Sequence, residues 1–273
     1  MINEPHTIAK PIFRWAGSKK KLLPELNEYW NRSNKNRYIE PFAGSAQLYF
    51  KIRPDAAILN DVNSELINTY QLIQVNPEGL HNIIRTYRRD KDFYYQLRSL
   101  SPDNLTELER AARFLYLNKF CFNGLYRTNL KGEFNVPYSA TSTGMLPSLD
   151  DLINCSKSLK NVLFLNQDFE SVVRMHATSQ DFVYLDPPYA VANEKIFYQY
   201  DPRTFGLKDL ERLKTLLIDL SKQNIPFLLS YANCEEFKSM FSEWNVNEVY
   251  TQRNMTGFSK EKRIAKELLI SNI

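Results

Sequence analysis

Long apolar runs and an N-terminal targeting signal are both missing from this 273-residue sequence. No segment holds the roughly 18 consecutive apolar residues that a membrane-spanning helix requires. The first residues, Met1-Ile2-Asn3-Glu4-Pro5, do not have the charged and apolar regions of a secretory signal peptide. We therefore expect a soluble, cytoplasmic protein with no membrane partner.

Cysteine and histidine are scarce and scattered. The three cysteines are too dispersed for a disulfide framework or a zinc site, and they are Cys121, Cys155 and Cys234. The three histidines are equally dispersed, at His6, His81 and His176. The sequence thus predicts reduced structural cysteines, no metal site and no catalytic histidine.

The composition is that of a globular protein with a substantial core. Apolar residues make up 43% of the chain, and its length suits one α/β domain with an insertion or two modest domains. The formal net charge is +4 and the pI is about 8.8. Such a balance permits a nucleic-acid partner, but many proteins without a polyanionic ligand are equally basic.

One stretch carries most of the chemistry. Val183-Tyr184-Leu185-Asp186-Pro187-Pro188-Tyr189 is a run of strand-forming residues that stops at an acid and two prolines. In open α/β sheets, ligands bind at the carboxyl ends of strands. A flat ring with an amino group would stack on Tyr189 and donate its two N–H groups to the Asp186 carboxylate and the Pro187 carbonyl. The alternative is an ordinary loop after a strand.

An earlier segment is typical of a nucleoside site. Tyr38-Ile39-Glu40-Pro41-Phe42-Ala43-Gly44-Ser45-Ala46-Gln47-Leu48 predicts a strand, a glycine turn and a helix, and a second strand ends at Asp61. A carboxylate there accepts hydrogen bonds from ribose hydroxyls. The Gly-x-Gly-x-x-Gly pattern for a pyrophosphate is missing, which favours S-adenosylmethionine, whose positive groups suit Glu40. A generic βαβ unit is the alternative.

Two further segments are candidates for the same ligand. A basic loop before the first helix would place Trp15 and Lys19 over a small molecule, while Arg14 or its neighbours meet a phosphate or a base edge. The alternative is a solvated basic helix start. After a strand at Val162–Leu165, Asp168 and Phe169 would bind an adenine ring by hydrogen bonding and stacking.

Residues 76–138 interrupt the strand and helix alternation with helical periodicity. We expect an inserted target-recognition domain there, and a catalytic domain formed by 1–75 and 139–273. The insertion ends in aromatic, amide and basic residues around Gly124 and Gly132, a pattern that favours a β-hairpin able to enter a DNA groove. The last two strands, near Val246–Thr251 and Lys266–Ser271, should close the sheet as an antiparallel pair.

Taken in order, four motifs resemble those of the Dam-like DNA adenine methyltransferases, over nearly the whole chain. They are Phe42-Ala43-Gly44-Ser45, Asp61, the block Asn123 to Pro137, and Asp186-Pro187-Pro188-Tyr189. The resemblance implies an α/β, Rossmann-like seven-stranded sheet and methyl transfer from S-adenosylmethionine to the exocyclic amine of a flipped adenine in double-stranded DNA.

The resemblance also implies roles for individual residues. The cofactor would be surrounded by Trp15, Lys19, Phe42, Ala43, Gly44, Ser45, Asp61, Asp168, Phe169 and Asp186. The flipped adenine would meet Asp186, Pro187, Pro188 and Tyr189, with Phe197 and Tyr200 closing over it. DNA contacts would come from Arg14, Phe122, Asn123, Leu125, Arg127 and Pro137.

The target sequence is expected to be GATC, although two positions depart from relatives that recognise it. Arg14 stands where lysine is frequent, and Tyr138-Ser139-Ala140-Thr141 replaces a Gly-Arg-Tyr continuation. We expect a monomer with no metal, and a restriction endonuclease for the same site is a candidate companion. The competing hypotheses are an RNA or protein amide methyltransferase and a DNA-binding regulator that has lost catalysis.

Overall fold

The structure is a computed structural model that describes residues 9–140, 144–188, 205–233, 235–253 and 263–273, with 251–253 and 263–266 described by backbone alone. Its seven strands form one sheet in the order β3-β2-β1-β4-β5-β7-β6. Their bounds are β1 Arg37–Glu40, β2 Ala56–Asn60, β3 Val162–Leu165, β4 Asp181–Leu185, β5 Phe227–Ala232, β6 Asn245–Arg253 and β7 Arg263–Ser271. The predicted α/β class and the seven-stranded sheet are confirmed.

The sheet is mixed. Strands β1, β4 and β5 run parallel, whereas β7 pairs antiparallel with both β5 and β6. The final two strands therefore close the sheet as an antiparallel pair, as predicted. Strand β4 is buried along its whole length, and after Asp181 at its start its residues are all apolar or aromatic, as expected for a strand covered on both faces.

Ten α-helices lie within the described residues. They are α1 Leu23–Ser33, α2 Gln47–Ile52, α3 Ser64–Val75, α4 Pro77–Ile84, α5 Lys91–Ser99, α6 Glu107–Phe120, α7 Leu149–Leu159, α8 Phe169–His176, α9 Leu207–Lys222 and α10 Glu235–Met240. Capping side chains fix where several of them begin. Thr106 and Ser148 form reciprocal capping boxes at α6 and α7, and Asn63 accepts two backbone N–H bonds at α3.

The chain divides into two compact units. One comprises Met1–Lys19, Ala43–Arg53 and Leu59–Asn166, and the other comprises Lys20–Phe42, Pro54–Ile58 and Gln167–Ile273. The first unit is mainly helical and the second holds most of the sheet. The division into a catalytic domain and an insertion at 76–138 stays a prediction.

In the first unit, α6 packs against α3, α4 and α5. Side chains from α5, α6 and the segment that follows α6 form a buried apolar cluster. Its members are Tyr94, Leu97, Tyr116, Leu117, Phe120, Cys121 and Val136. That segment folds back on itself. Thr128 pairs antiparallel with Phe134, Cys121 pairs with Tyr138, and Gly132 turns the chain with a φ of 82°. The predicted hairpin is present, as isolated bridges and not as two long strands.

The second unit has an ion pair at the start of β4. Asp181 is fully buried, and its carboxylate accepts hydrogen bonds from Arg37 on β1 and from the backbone and hydroxyl of Thr178, at 2.7 and 2.8 Å. The Arg37 side chain is 39% exposed. The buried negative charge of Asp181 is thus paired with Arg37, and both of its carboxylate oxygens accept hydrogen bonds.

Within the described ranges, no helix is long and apolar enough to cross a membrane. In the same part of the chain, no group of three or more histidine, cysteine, aspartate or glutamate side chains is arranged to hold a metal ion.

Replacing the buried acid tests this account of β4. We expect Asp181→Ala to lower the free energy of unfolding by about 2 to 4 kcal/mol, because it leaves the Arg37 and Thr178 donors without their acceptor. Urea unfolding followed by circular dichroism measures this. Glu243→Ala, which breaks the exposed pair with Lys214, is the control and should change stability by less than about 1 kcal/mol. Equal effects of the two substitutions would contradict the argument.

Candidate active site

The carboxyl end of β4 carries the acid predicted to act on the substrate. Leu185 is paired with Leu229 of β5, so the next residues along, Asp186 and Ser230, lie opposite each other. Two prolines follow Asp186, of which Pro187 is buried and Pro188 is exposed. Because proline has a fixed φ and no N–H, the chain after Asp186 cannot continue the hydrogen-bonding pattern of the sheet.

The Asp186 carboxylate is bonded to its neighbours on the sheet. The Ser230 hydroxyl donates to Asp186 Oδ1 at 2.9 Å, and the hydroxyls of Tyr184 and Ser230 are 3.0 Å apart. Tyr184 and Ser230 are buried, whereas Asp186 is partly exposed. Burial raises the pKa of Tyr184 well above its usual value, and the negative charge of Asp186 raises it further. Both causes keep the phenol protonated and able to donate.

Three residues predicted to contact the flipped base fall outside the described residues. They are Tyr189, Phe197 and Tyr200. Their roles stay predictions.

In the first unit, the glycine turn packs against Trp15. Gly44 has a φ of 47°, and a Cβ atom on it would lie 2.7 Å from the Trp15 ring. The Tyr70 hydroxyl donates to the Gly44 carbonyl at 3.0 Å. Only glycine fits both this backbone conformation and this contact.

Asp61 is tied to the same turn. Its Oδ2 accepts from the Gly44 N–H at 3.0 Å and its Oδ1 accepts from the Asn63 N–H at 2.9 Å. Burial raises the pKa of this carboxyl, while the two backbone bonds act in the opposite direction. The bonds fix the carboxylate beside the turn, where the nucleoside hypothesis requires an acceptor.

In the second unit, Asp168 and Phe169 begin α8. Asp168 Oδ1 caps this helix by accepting from the Glu170 and Ser171 N–H groups at 3.0 and 3.4 Å. Arg212 of α9 donates its Nη2 to Asp168 at 2.5 Å and its Nε to Glu170 at 2.8 Å. Its guanidinium carbon also lies 4.8 Å from the centre of the Phe169 ring.

Phe169 belongs to an aromatic cluster. Its ring stacks on Phe42 at a centroid distance of 5.2 Å, and Phe205 lies 5.8 Å from both. Phe169 is 4% exposed. An adenine ring that stacked on Phe169 would therefore have to enter this cluster and displace a neighbouring side chain.

The other predicted cofactor residues are buried in their own units. In the first unit these are Lys19, Ala43 and Ser45, and in the second unit Glu40, which ends β1. The negative charge of Glu40 is one of the causes that raise the pKa of Tyr38, after burial. Their roles in binding the cofactor stay predictions.

Bonds from side chains to backbone groups hold the end of α6, which leads into the hairpin, to the start of the described chain. Asn118 accepts from the Arg14 N–H at 2.9 Å and donates to the Arg14 carbonyl at 2.7 Å. The Arg14 Nη1 donates to the Lys119 carbonyl at 2.9 Å, and the Lys119 ammonium donates to the Ile12 carbonyl. Arg14, predicted to contact DNA, thus also holds the end of α6.

The remaining predicted DNA residues follow α6 in the sequence. Phe122 is 44% exposed, and Arg127 and Pro137 are exposed as well. The Arg127 Nε donates to Asn135 across the hairpin at 2.8 Å. Asn123 and Leu125 are half-buried, with Asn123 at a φ of 54° that an Asn tolerates better than most residues. Three of these side chains are therefore available to a large ligand.

Sequence reasoning did not single out several residues that complete these groups. They are Tyr184, Ser230, Arg212, Phe205 and Asn118. Ser230 could have been found from the sequence, because it is a polar residue within the otherwise apolar strand that begins at Phe227. Nothing in the sequence marked Arg212 as a contact of Asp168, because a charged residue in an amphipathic helix usually faces solvent.

The sequence is similar to those of known DNA methyltransferases. A model of the D12 class of N6 adenine-specific DNA methyltransferases matches residues 15–255. Type II methyltransferase M1.LlaDCHI of Lactococcus lactis subsp. cremoris is 32% identical over 96% of this chain and 95% of its own. Type II methyltransferase M.MjaIII of Methanocaldococcus jannaschii is 33% identical over 96% and 99%. A DNA adenine methylase of Haemophilus influenzae is 32% identical over 97% and 94%.

The buried ammonium group of Lys119 should make the stability of the fold depend on pH. Burial, with a smaller contribution from the positive charge of Arg14, lowers the pKa of Lys119 to about 8 from an ordinary value of 10.5. Between these two values the unfolded chain holds a proton that the folded chain has released, so stability should rise with pH. Relative to Lys119→Met, the wild-type chain should gain stability from pH 8 to pH 10.5.

Urea unfolding of both proteins at several pH values measures this difference. Lys131→Met, at an exposed lysine of the hairpin, is the matched control and should follow the wild-type curve. Parallel curves for wild type and Lys119→Met over the whole range would contradict the prediction.

Proposed function

Because the chain belongs to the D12 class of N6 adenine-specific DNA methyltransferases, we propose that it transfers a methyl group from S-adenosylmethionine to the exocyclic amine of an adenine swung out of duplex DNA. The observation that carries this proposal is the Asp186 carboxylate, held at the end of β4 by Ser230 and followed by two prolines. An acceptor fixed at a strand end suits a flat ring that donates N–H groups.

The chemistry follows from the poor nucleophilicity of an aromatic amine, whose lone pair is delocalised into the ring. The Asp186 carboxylate and the Pro187 carbonyl accept its two N–H groups and draw the nitrogen towards tetrahedral geometry, which frees the lone pair. Asp186 also stabilises the positive charge that develops on the nitrogen. Tyr189 stacks on the ring, and Phe197 and Tyr200 close over it.

S-Adenosylmethionine, when bound, supplies an electrophilic methyl group on its sulfonium. The glycine turn and the acids fit such a ligand, and its adenine would reach Phe169 by displacing a neighbouring aromatic side chain. The turn has one glycine, Gly44, and not the three of a pyrophosphate site, and acids follow several strands, among them Asp61 and Asp168. Carboxylates favour a ligand that carries an ammonium and a sulfonium and no phosphate. We propose that Asp61 accepts from the ribose and that Asp168 and Phe169 bind the adenine, with Trp15, Lys19, Glu40, Phe42, Ala43 and Ser45 completing the surroundings.

Removing the base from the duplex costs a few kcal/mol of stacking and pairing energy, which contacts in the pocket offset. We propose that the exposed Phe122 and Arg127 contact DNA at the target, with Asn123, Leu125, Pro137 and Arg14 beside them. GATC is the first sequence to test. The guanidinium group of Arg127 presents two parallel N–H donors, which fit the O6 and N7 acceptors on the major-groove edge of guanine.

We also propose a partner enzyme, an oligomeric state and a cellular location. Two relatives are named type II methyltransferases, so we propose a restriction endonuclease with the same target as a companion. We further propose that the chain acts as a monomer in the cytoplasm.

Replacing the proposed catalytic acid tests the mechanism. We expect Asp186→Ala to lower methyl transfer to duplex DNA at least about 1,000-fold, because the amine loses its charged acceptor. Incorporation of tritiated methyl groups measures the rate, and circular dichroism checks the fold. Asp150→Ala, at an exposed acid of α7, is the control and should retain full activity. Substantial turnover by Asp186→Ala would refute the assignment.

Replacing Arg127 tests the target-reading role. We expect Arg127→Ala to relax sequence choice, with a loss of about 1–3 kcal/mol of discrimination at one base pair. Methylation of a set of duplexes that differ at single positions of the target measures this. Arg127→Lys keeps the charge without the fork, so it should not restore discrimination if Arg127 reads a base. An equal loss on all sequences, restored by lysine, would instead make Arg127 a phosphate contact.

A further inference from the structure

Three polar side chains meet on one face of the sheet at the proposed catalytic acid. Tyr184 and Asp186 are two residues apart in sequence at the end of β4, so they point to the same face, and the register places Ser230 of β5 opposite Asp186. The oxygen atoms are 3.0 Å apart from Tyr184 to Ser230 and 2.9 Å apart from Ser230 to Asp186. Ser230 is fully buried and Tyr184 is 2% exposed.

The direction of these bonds follows from counting protons. The Asp186 carboxylate oxygen accepts, so the single hydroxyl proton of Ser230 is used in the bond to Asp186. Ser230 can then only accept from its other neighbour, which requires the Tyr184 hydroxyl to donate. The chain of donors therefore runs in one direction, from Tyr184 through Ser230 to Asp186. Each bond polarises the next and strengthens it.

We propose that Ser230, supported by Tyr184, is a positioning residue for the methyl transfer reaction. Ser230 fixes the rotation of the Asp186 carboxylate, so that the amine of the target base meets this acceptor and the Pro187 carbonyl at the same time. Neither side chain needs to touch the substrate. The inference rests on the proposed function of Asp186 and adds the residues that orient it.

The orientation of the Asp186 carboxylate matters because this group and the Pro187 carbonyl must both accept from one nitrogen. A carboxylate free to rotate would satisfy this geometry only part of the time, and small misplacements in an active site can cost about 100-fold in rate. We expect Ser230→Ala to lower kcat by about 10-fold to 100-fold while the dissociation constant for S-adenosylmethionine changes less than about twofold. Tyr184→Phe leaves the Ser230 donor in place and should lower kcat by less.

A purely structural role must be distinguished from a positioning role, since buried hydroxyls also stabilise the fold. Ser230→Ala leaves the buried Tyr184 hydroxyl without its acceptor, which should lower the melting temperature. The double variant Tyr184→Phe/Ser230→Ala removes that hydroxyl and should recover part of the lost stability. Its kcat should stay as low as that of Ser230→Ala, because Tyr184 acts only through Ser230.

The experiment measures kcat with saturating duplex DNA, cofactor binding by calorimetry and thermal unfolding for the three variants. Recovery of kcat together with stability in the double variant would overturn the proposal, as would an unchanged kcat in Ser230→Ala. Two matched controls are Ser271→Ala, at a fully buried serine of β7, and Tyr49→Phe, at a buried tyrosine of α2 that donates to a backbone carbonyl. Both should keep kcat.

The outcome is separable from that of the proposed function. If the wild-type chain transfers no methyl group to DNA, or if Asp186→Ala stays active, the function of Asp186 is wrong. If Asp186→Ala is inactive while Ser230→Ala keeps its full kcat, only the positioning role is wrong.

Discussion

The parallel register between β4 and β5 is the constraint on which the proposed chemistry depends. It pairs Leu185 with Leu229 and thereby places Asp186 opposite Ser230. A shift by one residue would turn Asp186 to the other face of the sheet. At the opposite end of β4, Asp181 is bonded to Arg37 of β1. Polar bonds between strands at both ends, with an apolar run between them, fix the strand along its length.

Three acids that follow strands in the sequence share a second property, which is that donors of the protein hold each of them. Gly44 and Asn63 hold Asp61, a helix N-terminus and Arg212 hold Asp168, and Ser230 holds Asp186. A carboxylate that leaves bulk water must receive hydrogen bonds or lose its charge. The bonds supply that stabilisation and also fix the orientation of each acid, which is the preorganisation that the proposed ligand binding requires.

Sequence patterns predicted the strands, the class of fold and the acids at strand ends, because burial and turn chemistry are local signals. The last two strands and the reversal around Gly132 were predicted for the same reason. The residues that orient the acids were not. Ser230 and Arg212 each lie 44 positions from the acid that they contact. Such pairs depend on strand register and helix packing, which a single sequence does not display. The Asn118 bonds to Arg14 span 104 positions and were missed for the same reason.

The bonds that anchor the hairpin end on backbone carbonyls. Asn118 donates to that of Arg14, Lys119 to that of Ile12, and Tyr94 and Arg98 to that of Val136. A carbonyl is present whatever side chain its residue carries. None of these donors and acceptors lies between Tyr126 and Glu133, so exposed residues there can be exchanged without loss of these anchors. Such an attachment makes the tip of the hairpin a replaceable module, whose exposed surface can be varied by substitution on an unchanged base.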